Sequence, residues 1–297
     1  MSCYSPLRGY CSKTGAWVSK KPTDCAPKKM NVRCGQCMGC RYDKAAHWAA
    51  RIMHEASQYD YNLFITLTYD EDHYPQQGSL HKPHLQKFIK RLRDHLGYGR
   101  IRYYACGEYG DKDERPHYHL CAFNLQFEDQ QLYSYNNGYP LFTSETLEKI
   151  WGQGFAPFGQ LTYESAAYTS RYTLKKVTGA KAHDHYLRCD EYGVAYWLEP
   201  EFTLMSRRPG IGSAWIDKYI DDVYPSDEIP IVGKGNMKGV PRYYDQALEK
   251  MDPDLYERVK EARSKYAREN PLEFSPQRLE DKFKCQRALK KHLKRTL

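Results

Sequence analysis

The segment Arg115-Pro116-His117-Tyr118-His119-Leu120 constrains this chain more than any other. On a strand, residues two apart point to one face. His117 and His119 therefore present two imidazoles side by side, while Leu120 and Ala122 fall on the opposite face and can pack on a core. Glu108 lies nine residues before His117, near the end of an apolar and aromatic run at Ile101–Tyr109. The polar loop Gly110–Arg115 joins the two runs as an antiparallel hairpin, which can bring the Glu108 carboxylate opposite the histidines. Two imidazoles and one carboxylate with open positions suit Mg²⁺ or Mn²⁺ and leave room for substrate oxygens. The plain alternative is two histidines in an ordinary half-exposed strand. A competing pair, His183 and His185, sits in a Lys- and Gly-rich stretch with no strand pattern and is not expected to hold this metal.

The hairpin belongs to a mixed pattern. Leu63–Tyr69 reads as a strand by its β-branched and aromatic content. Helices are expected from about Arg41 to Gln58, from Pro83 to Leu96, over Ser144–Trp151 and from Ser165 to about Val177, each from apolar residues at helical spacing or from its end signals. Phe158–Tyr163 is a further candidate strand. Residues 180–240 give no confident elements, and Tyr243–Asn270 reads as one or two charged helices before Pro271 and Pro276. The expected fold class is α+β: a mainly antiparallel sheet with the histidines on a central strand and a tyrosine-bearing helix across its face. Three segments are expected: a cysteine-rich arm at 1–40, a core at 41–180 and a C-terminal extension at 181–297 with a basic helical tail.

The tyrosines of that helix stand at Tyr168 and Tyr172, four apart and so on one helical face, with Lys175 and Lys176 close behind. A phenol is mostly protonated at neutral pH, its ordinary pKa being about 10. A nearby ammonium or metal favours the phenolate, so paired phenols beside a cation suit successive attacks on phosphodiesters. The alternative is an amphipathic helix whose tyrosines pack on the sheet.

Six of the ten cysteines lie in the first 40 residues. Cys34, Cys37 and Cys40 offer three thiolates in a short loop, and Cys3, Cys25 or Cys11 could be a fourth ligand. Structural Zn²⁺ fits such an arm, which has no core of its own. An iron–sulfur cluster or free cysteines in a tight turn are the alternatives. The net charge of +8 suits an anionic partner such as nucleic acid. Lys87, Lys90, Arg91 and Arg93 on the second helix form one candidate DNA surface, with Arg115 beside the histidines. The tail residues Lys282, Lys284, Arg287, Lys290, Lys291, Lys294 and Arg295 form another, and Lys234 and Lys238 are further candidates. No stretch approaches the roughly 18 apolar residues of a membrane span, and the N-terminus has no signal-peptide core, so a cytoplasmic protein is expected.

Four segments in order, Phe64-Ile-Thr-Leu-Thr-Tyr69, Gly107-Glu-Tyr-Gly110, Arg115-Pro-His-Tyr-His119 and Tyr168-x-x-x-Tyr172-x-x-Lys-Lys176, resemble the HUH endonuclease superfamily. The match is to the replication initiators of single-stranded DNA phages of the microvirus family, particularly the gokushovirus type. The run Cys34-Gly-Gln-Cys37-Met-Gly-Cys40-Arg41 also looks like that subgroup. The resemblance covers roughly residues 1–180. It implies a five-stranded, ferredoxin-like sheet, His117 and His119 as metal ligands, Glu108 as the third ligand, Tyr168 and Tyr172 as nucleophiles and Lys175 or Lys176 as the accompanying lysine. Tyr118 departs from the aliphatic residue usual between the two histidines. The implied activity is origin nicking through a 5′-phosphotyrosine, extension of the freed 3′-hydroxyl by a host polymerase with host helicase, and rejoining of the displaced strand. The absence of a Gly-x-x-x-x-Gly-Lys-[Ser/Thr] loop argues against a fused helicase. The rivals are a transposase or relaxase of the same superfamily and a non-catalytic, zinc-bearing nucleic-acid-binding protein.

Overall fold

The computed structural model describes residues 2–26, 28–97, 101–171, 176–232 and 234–295, the last six of these by backbone alone. The chain folds into two compact units, one of residues 1–44 with 260–297 and one of residues 45–259.

In the first unit, β1 (Leu7–Cys11), β2 (Trp17–Val18) and β3 (Lys28–Val32) form an antiparallel sheet of order β2-β1-β3. The expectation of an irregular arm misses this sheet because its strands are short and half-exposed, with no alternation of apolar residues. Gly9 sits where β1 crosses Trp17 and Val18: an added Cβ would lie 2.4 Å from the Val18 carbonyl oxygen. Helix α1 (Met38–Ala56) begins in this unit and continues into the second.

The second unit carries β4 (Asn62–Thr68), α2 (Lys82–Leu96), β5 (Arg102–Tyr109), β6 (Pro116–Phe123), β7 (Gln131–Asn136), β8 (Tyr139–Thr143), α3 (Glu145–Trp151), β9 (Phe158–Gln160) and α4 (Tyr163–Arg171). Then come α5 (Lys181–Tyr186), β10 (Leu187–Cys189), β11 (Ala195–Trp197), β12 (Phe202–Met205), α6 (Ser213–Val223), β13 (Glu228–Ile231), β14 (Gly235–Lys238) and α7 (Arg242–Met251). Two further helices, α8 (Pro253–Glu269) and α9 (Pro276–Arg295), end the described chain.

The main sheet is antiparallel throughout and runs β12-β5-β6-β4-β9-β8-β7. It has seven strands rather than about five. The β7–β8 hairpin adds two at one edge, and β12, from the segment the sequence leaves unread, closes the other. The α+β class is as expected.

The alternation along β4 and β6 sorts the sheet's two faces. Ile65, Leu67, Tyr118, Leu120 and Ala122 point to one face, where Leu85, Phe88, Ile89 and Leu92 of α2 and Leu147, Ile150 and Trp151 of α3 cover them. Each such buried side chain contributes about 1.5–3 kcal/mol. Tyr104, Cys121 and Phe123 point to the other face and pack with Ala49, Ile52 and Ala56 of α1 and Ala166 of α4. Tyr118 fits the first face because its hydroxyl is satisfied: it meets the Tyr69 hydroxyl at 2.6 Å, donates to the His81 carbonyl at 2.9 Å and accepts from the His81 amide at 3.0 Å.

A second core unites α6, α7 and the β13–β14 hairpin around His54 of α1. The Pro230 carbonyl can only accept, so His54 donates from Nε2 at 2.7 Å and accepts the Tyr244 hydroxyl at Nδ1, 2.9 Å away. The ring lies flat on Trp215 at 3.5 Å. No described helix is long and apolar enough to cross a membrane.

Burial lowers the His54 pKa to about 4. The unfolded chain therefore takes up a proton near pH 6.5 that the folded protein refuses. The neutral ring's contribution is complete above that pH and is lost as the pH falls towards 4, by up to about 3 kcal/mol. Urea unfolding should accordingly show a steeper loss of stability between pH 6.5 and 4.5 in the wild type than in His54→Phe.

Candidate active site

Antiparallel pairing of β5 with β6 sets Glu108 directly across from His117 and Cys106 across from His119. Pairing of β4 with β6 sets Thr68 across from His117 and Thr66 across from His119. All these side chains share the face covered by α1 and α4. Glu108 and His119 are buried, and His117 is partly open.

Both imidazole Nε2 atoms converge on Glu108 Oε1, at 2.7 Å from His117 and 3.0 Å from His119. The three ligand atoms lie within 4.8 Å of one another. His117 Nδ1 donates to the Arg115 carbonyl at 3.0 Å, which leaves the Nε2 lone pair of the neutral ring facing the carboxylate. His119 Nδ1 lies 3.1 Å from the Thr66 hydroxyl, which can accept its proton in the same way. Two lone pairs and a carboxylate oxygen brought together in a buried place require a cation between them, either protons or a metal. The 2.7 and 3.0 Å separations are close to the ~3.0 Å cis edge of an octahedron with ~2.1 Å bonds. A divalent cation therefore fits these residues, with the remaining positions open to oxygen ligands. Burial pushes the Glu108 carboxyl up, but the hydrogen bonds and charges of His117 and His119 outweigh it and hold the group below its usual range.

Tyr168, on α4, is packed edge-on to His119 with ring centroids 5.2 Å apart, and its ring also meets Phe64. Burial, then the charges of Glu108, Cys106 and Asp111, push its phenol above the ordinary value, while Arg171 pulls the other way. A cation beside Glu108 would cancel one of the charges that hold the proton on. Tyr172 and Lys175 lie outside the described residues. Lys176 is half-exposed just beyond them.

The other sequence-derived candidates are distributed differently. α2 covers the opposite sheet face, so Lys87, Lys90, Arg91 and Arg93 do not share the histidine face. Arg91 donates to the carbonyls of Ile150 and Trp151 and closes the end of α3. Arg115 pairs with Glu71 and lies over the Tyr74 ring. His183 and His185 stand on the short helix α5, where residues two apart diverge, and they join no metal-ligand group among the described residues. Lys234 pairs with Glu164, Lys238 with Glu228 and Lys284 with Glu280. Thr66 is the site residue that sequence reasoning passed over. The alternation in Phe64-Ile-Thr-Leu-Thr-Tyr69 already placed it on the face opposite Ile65 and Leu67.

In the first unit, the sulfurs of Cys3, Cys34, Cys37 and Cys40 form a second ligand group. Cys3 lies 3.7 Å from Cys34 and 3.8 Å from Cys37, sulfur to sulfur, far beyond a disulfide bond. A tetrahedral site with ~2.3 Å metal–sulfur bonds has an edge of about 3.8 Å. The Cys37 amide donates to Cys34 Sγ at 3.2 Å, which favours a thiolate there. Cys11 and Cys25 are outside this group; the Cys25 thiol faces the Cys11 carbonyl instead.

Residues 62–177 match a family of replication-associated proteins, the one typified by replication-associated protein ORF2. The chain is similar to replication-associated protein ORF2 of Spiroplasma virus 4, with 36% identity over 90% of this chain and 87% of that protein. It is also similar to replication-associated protein VP4 of Bdellovibrio phage phiMH2K, with 31% identity over 86% of this chain and 80% of that one. Replication-associated protein ORF4 of Chlamydia phage 1 is 26% identical over 73% of this chain and 53% of its own length. No solved structure matches.

If Thr66 orients His119, Thr66→Val should weaken Mn²⁺ binding by about 10–100-fold, as loss of such supporting partners typically does, without unfolding the protein. Calorimetric titration with Mn²⁺ checks this.

Proposed function

The chain belongs to the replication-associated protein family of the microvirus phages, and on that premise we propose that it starts rolling-circle replication by nicking single-stranded DNA at an origin. The observation that supports this most is the placing of the Tyr168 ring against His119, on the face that gathers Glu108, His117 and His119. A phenol and a cation-binding trio can then address one phosphate.

Mg²⁺ or Mn²⁺ held by Glu108, His117 and His119 would polarise the scissile phosphate and offset the charge that keeps the phenol protonated. Tyr168 Oη forms the new bond to phosphorus. The bond from phosphorus to the 3′-oxygen breaks, that oxygen takes up a proton, and the 5′-phosphate stays on the tyrosine. Host polymerase, with host helicase, extends the free 3′-hydroxyl in the cytoplasm of the infected cell. Tyr172 serves as the second nucleophile when the regenerated origin is cut. Attack of a 3′-hydroxyl on the phosphotyrosine then releases the phenol and closes the circle, with no ATP needed because each phosphodiester is exchanged for another ester bond. Lys175 or Lys176 favours the phenolates by its charge.

The thiolate group formed by Cys3, Cys34, Cys37 and Cys40 holds structural Zn²⁺ in this reading, supported by its tetrahedral sulfur spacing. It joins the chain's first residues to the start of α1, in a region whose strands are too short to stand alone.

With Mn²⁺ and single-stranded origin DNA of a related phage, the wild type should form a covalent DNA adduct that resists denaturation. His117→Ala/His119→Ala should abolish it, and Tyr168→Phe/Tyr172→Phe should do so without loss of Mn²⁺ binding. DNA binding with no adduct under any of several origins would favour a non-catalytic binder. Elemental analysis should find one zinc per chain, lost in Cys37→Ser.

A further inference from the structure

A cleft of about 460 Å³ in the second unit is lined by Arg93, Arg102, Arg207 and Arg208, with Glu55 and Ser206 among its other walls. One acid therefore faces four guanidinium groups. That acid is already used: buried Glu55 pairs with Arg102 and accepts the Gly212 amide at 2.6 Å. Arg102 also donates to the carbonyls of Pro209 and Gly210, each at 3.0 Å. The Tyr103 amide donates to Ser206 Oγ at 3.1 Å, and the Ser206 amide to the Tyr103 carbonyl at 3.0 Å.

These contacts fix the backbone on both sides of Arg207 and Arg208, whose own side chains are exposed and make no ion pair among the described residues. Burying an ion pair costs desolvation. Here the pair holds in place a loop that presents two uncompensated positive charges. Arg93 adds a third from α2, lying 5.3 Å from the Tyr103 ring centre. A smaller neighbouring cleft shares Arg93 and Tyr103 and adds Lys90. The result is a preorganised strip of planar, multidentate donors, the chemistry that recognises phosphate oxygens.

We propose that the Arg93, Arg207 and Arg208 cleft binds the phosphodiester backbone of the DNA several nucleotides away from the phosphate being cut. Arg102 and Glu108 share β5 six residues apart, so cleft and cation site are separated by about 20 Å along the strand. At about 3.4 Å per nucleotide step this is roughly six nucleotides in stacked geometry, fewer in an extended strand. The inference rests on the DNA-processing reading for its choice of ligand, while the residues that carry it are separate from the nicking site.

The test is binding of a fluorescein-labelled 25-residue oligothymidylate, and of a duplex of the same length, by anisotropy in EDTA at several salt concentrations. Losing two phosphate contacts should lower the single-strand slope of log K against log salt by about 1.4, a loss of affinity of about 25-fold at 0.1 M salt. Arg207→Ala/Arg208→Ala should show that loss. Lys218→Ala/Lys250→Ala, which removes equal charge outside the cleft, should not. A like loss on the duplex identifies its backbone as a second source of the same phosphates. Unchanged slope and affinity in the arginine variant, or an equal loss in the lysine variant, would overturn the proposal while leaving the nicking assignment intact. Failure of the wild type to bind either DNA would sink both.

Discussion

The pairing of β5 with β6 is the contact on which the rest depends. Its register puts Glu108 across from His117 and, through the alternation of the strand, beside His119. A slip of one residue would turn Glu108 to the opposite face and into the core under α2. That register is held from both sides. Tyr118, between the two histidines, is buried on the other face with its hydroxyl bonded to Tyr69 and His81. β4 flanks β6 and supplies Thr66 to His119. Tyr118, a departure from the aliphatic residue expected there, is thus accommodated by polar partners for its one polar atom.

The same arrangement sets the electrostatics. Burial opposes ionisation of Glu108 and of Tyr168, but two imidazoles overcome it for the carboxyl and nothing in the trio does so for the phenol. The site as built is short of positive charge. The proposed chemistry follows from that deficit, since a divalent cation satisfies the converging ligands and relieves the phenol together. The arginine cleft, by contrast, carries more positive charge than its single acid can balance, and its proposed ligand is correspondingly a polyanion.

Much of this could be read from residues alone, where a periodic signal was strong. The histidine strand and its hairpin partner, α2 and the placing of Tyr168 on a helix follow from alternation or helical spacing over seven or more residues. The elements that escaped are short. β12 and the strands of the first unit have two to five residues each and too few positions to show a period. Long-range partners escaped for another reason. Arg207 and Arg208 join Arg93 only because Arg102, more than a hundred residues earlier, grips the carbonyls after them. His54 meets Pro230 and Tyr244 across a similar separation. Cys3 was one of three candidates to complete the thiol group until the fold brought it beside Cys34 and Cys37.

The most direct test of the central claim is pulsed electron paramagnetic resonance of the Mn²⁺-loaded Tyr168→Phe protein, with and without single-stranded origin oligonucleotide. The account predicts couplings to two imidazole nitrogens, lost with His117 and His119, and a phosphorus coupling that appears only when the oligonucleotide is added. Bound manganese with no imidazole nitrogens around it, or with no phosphorus coupling on a saturating oligonucleotide, would contradict it.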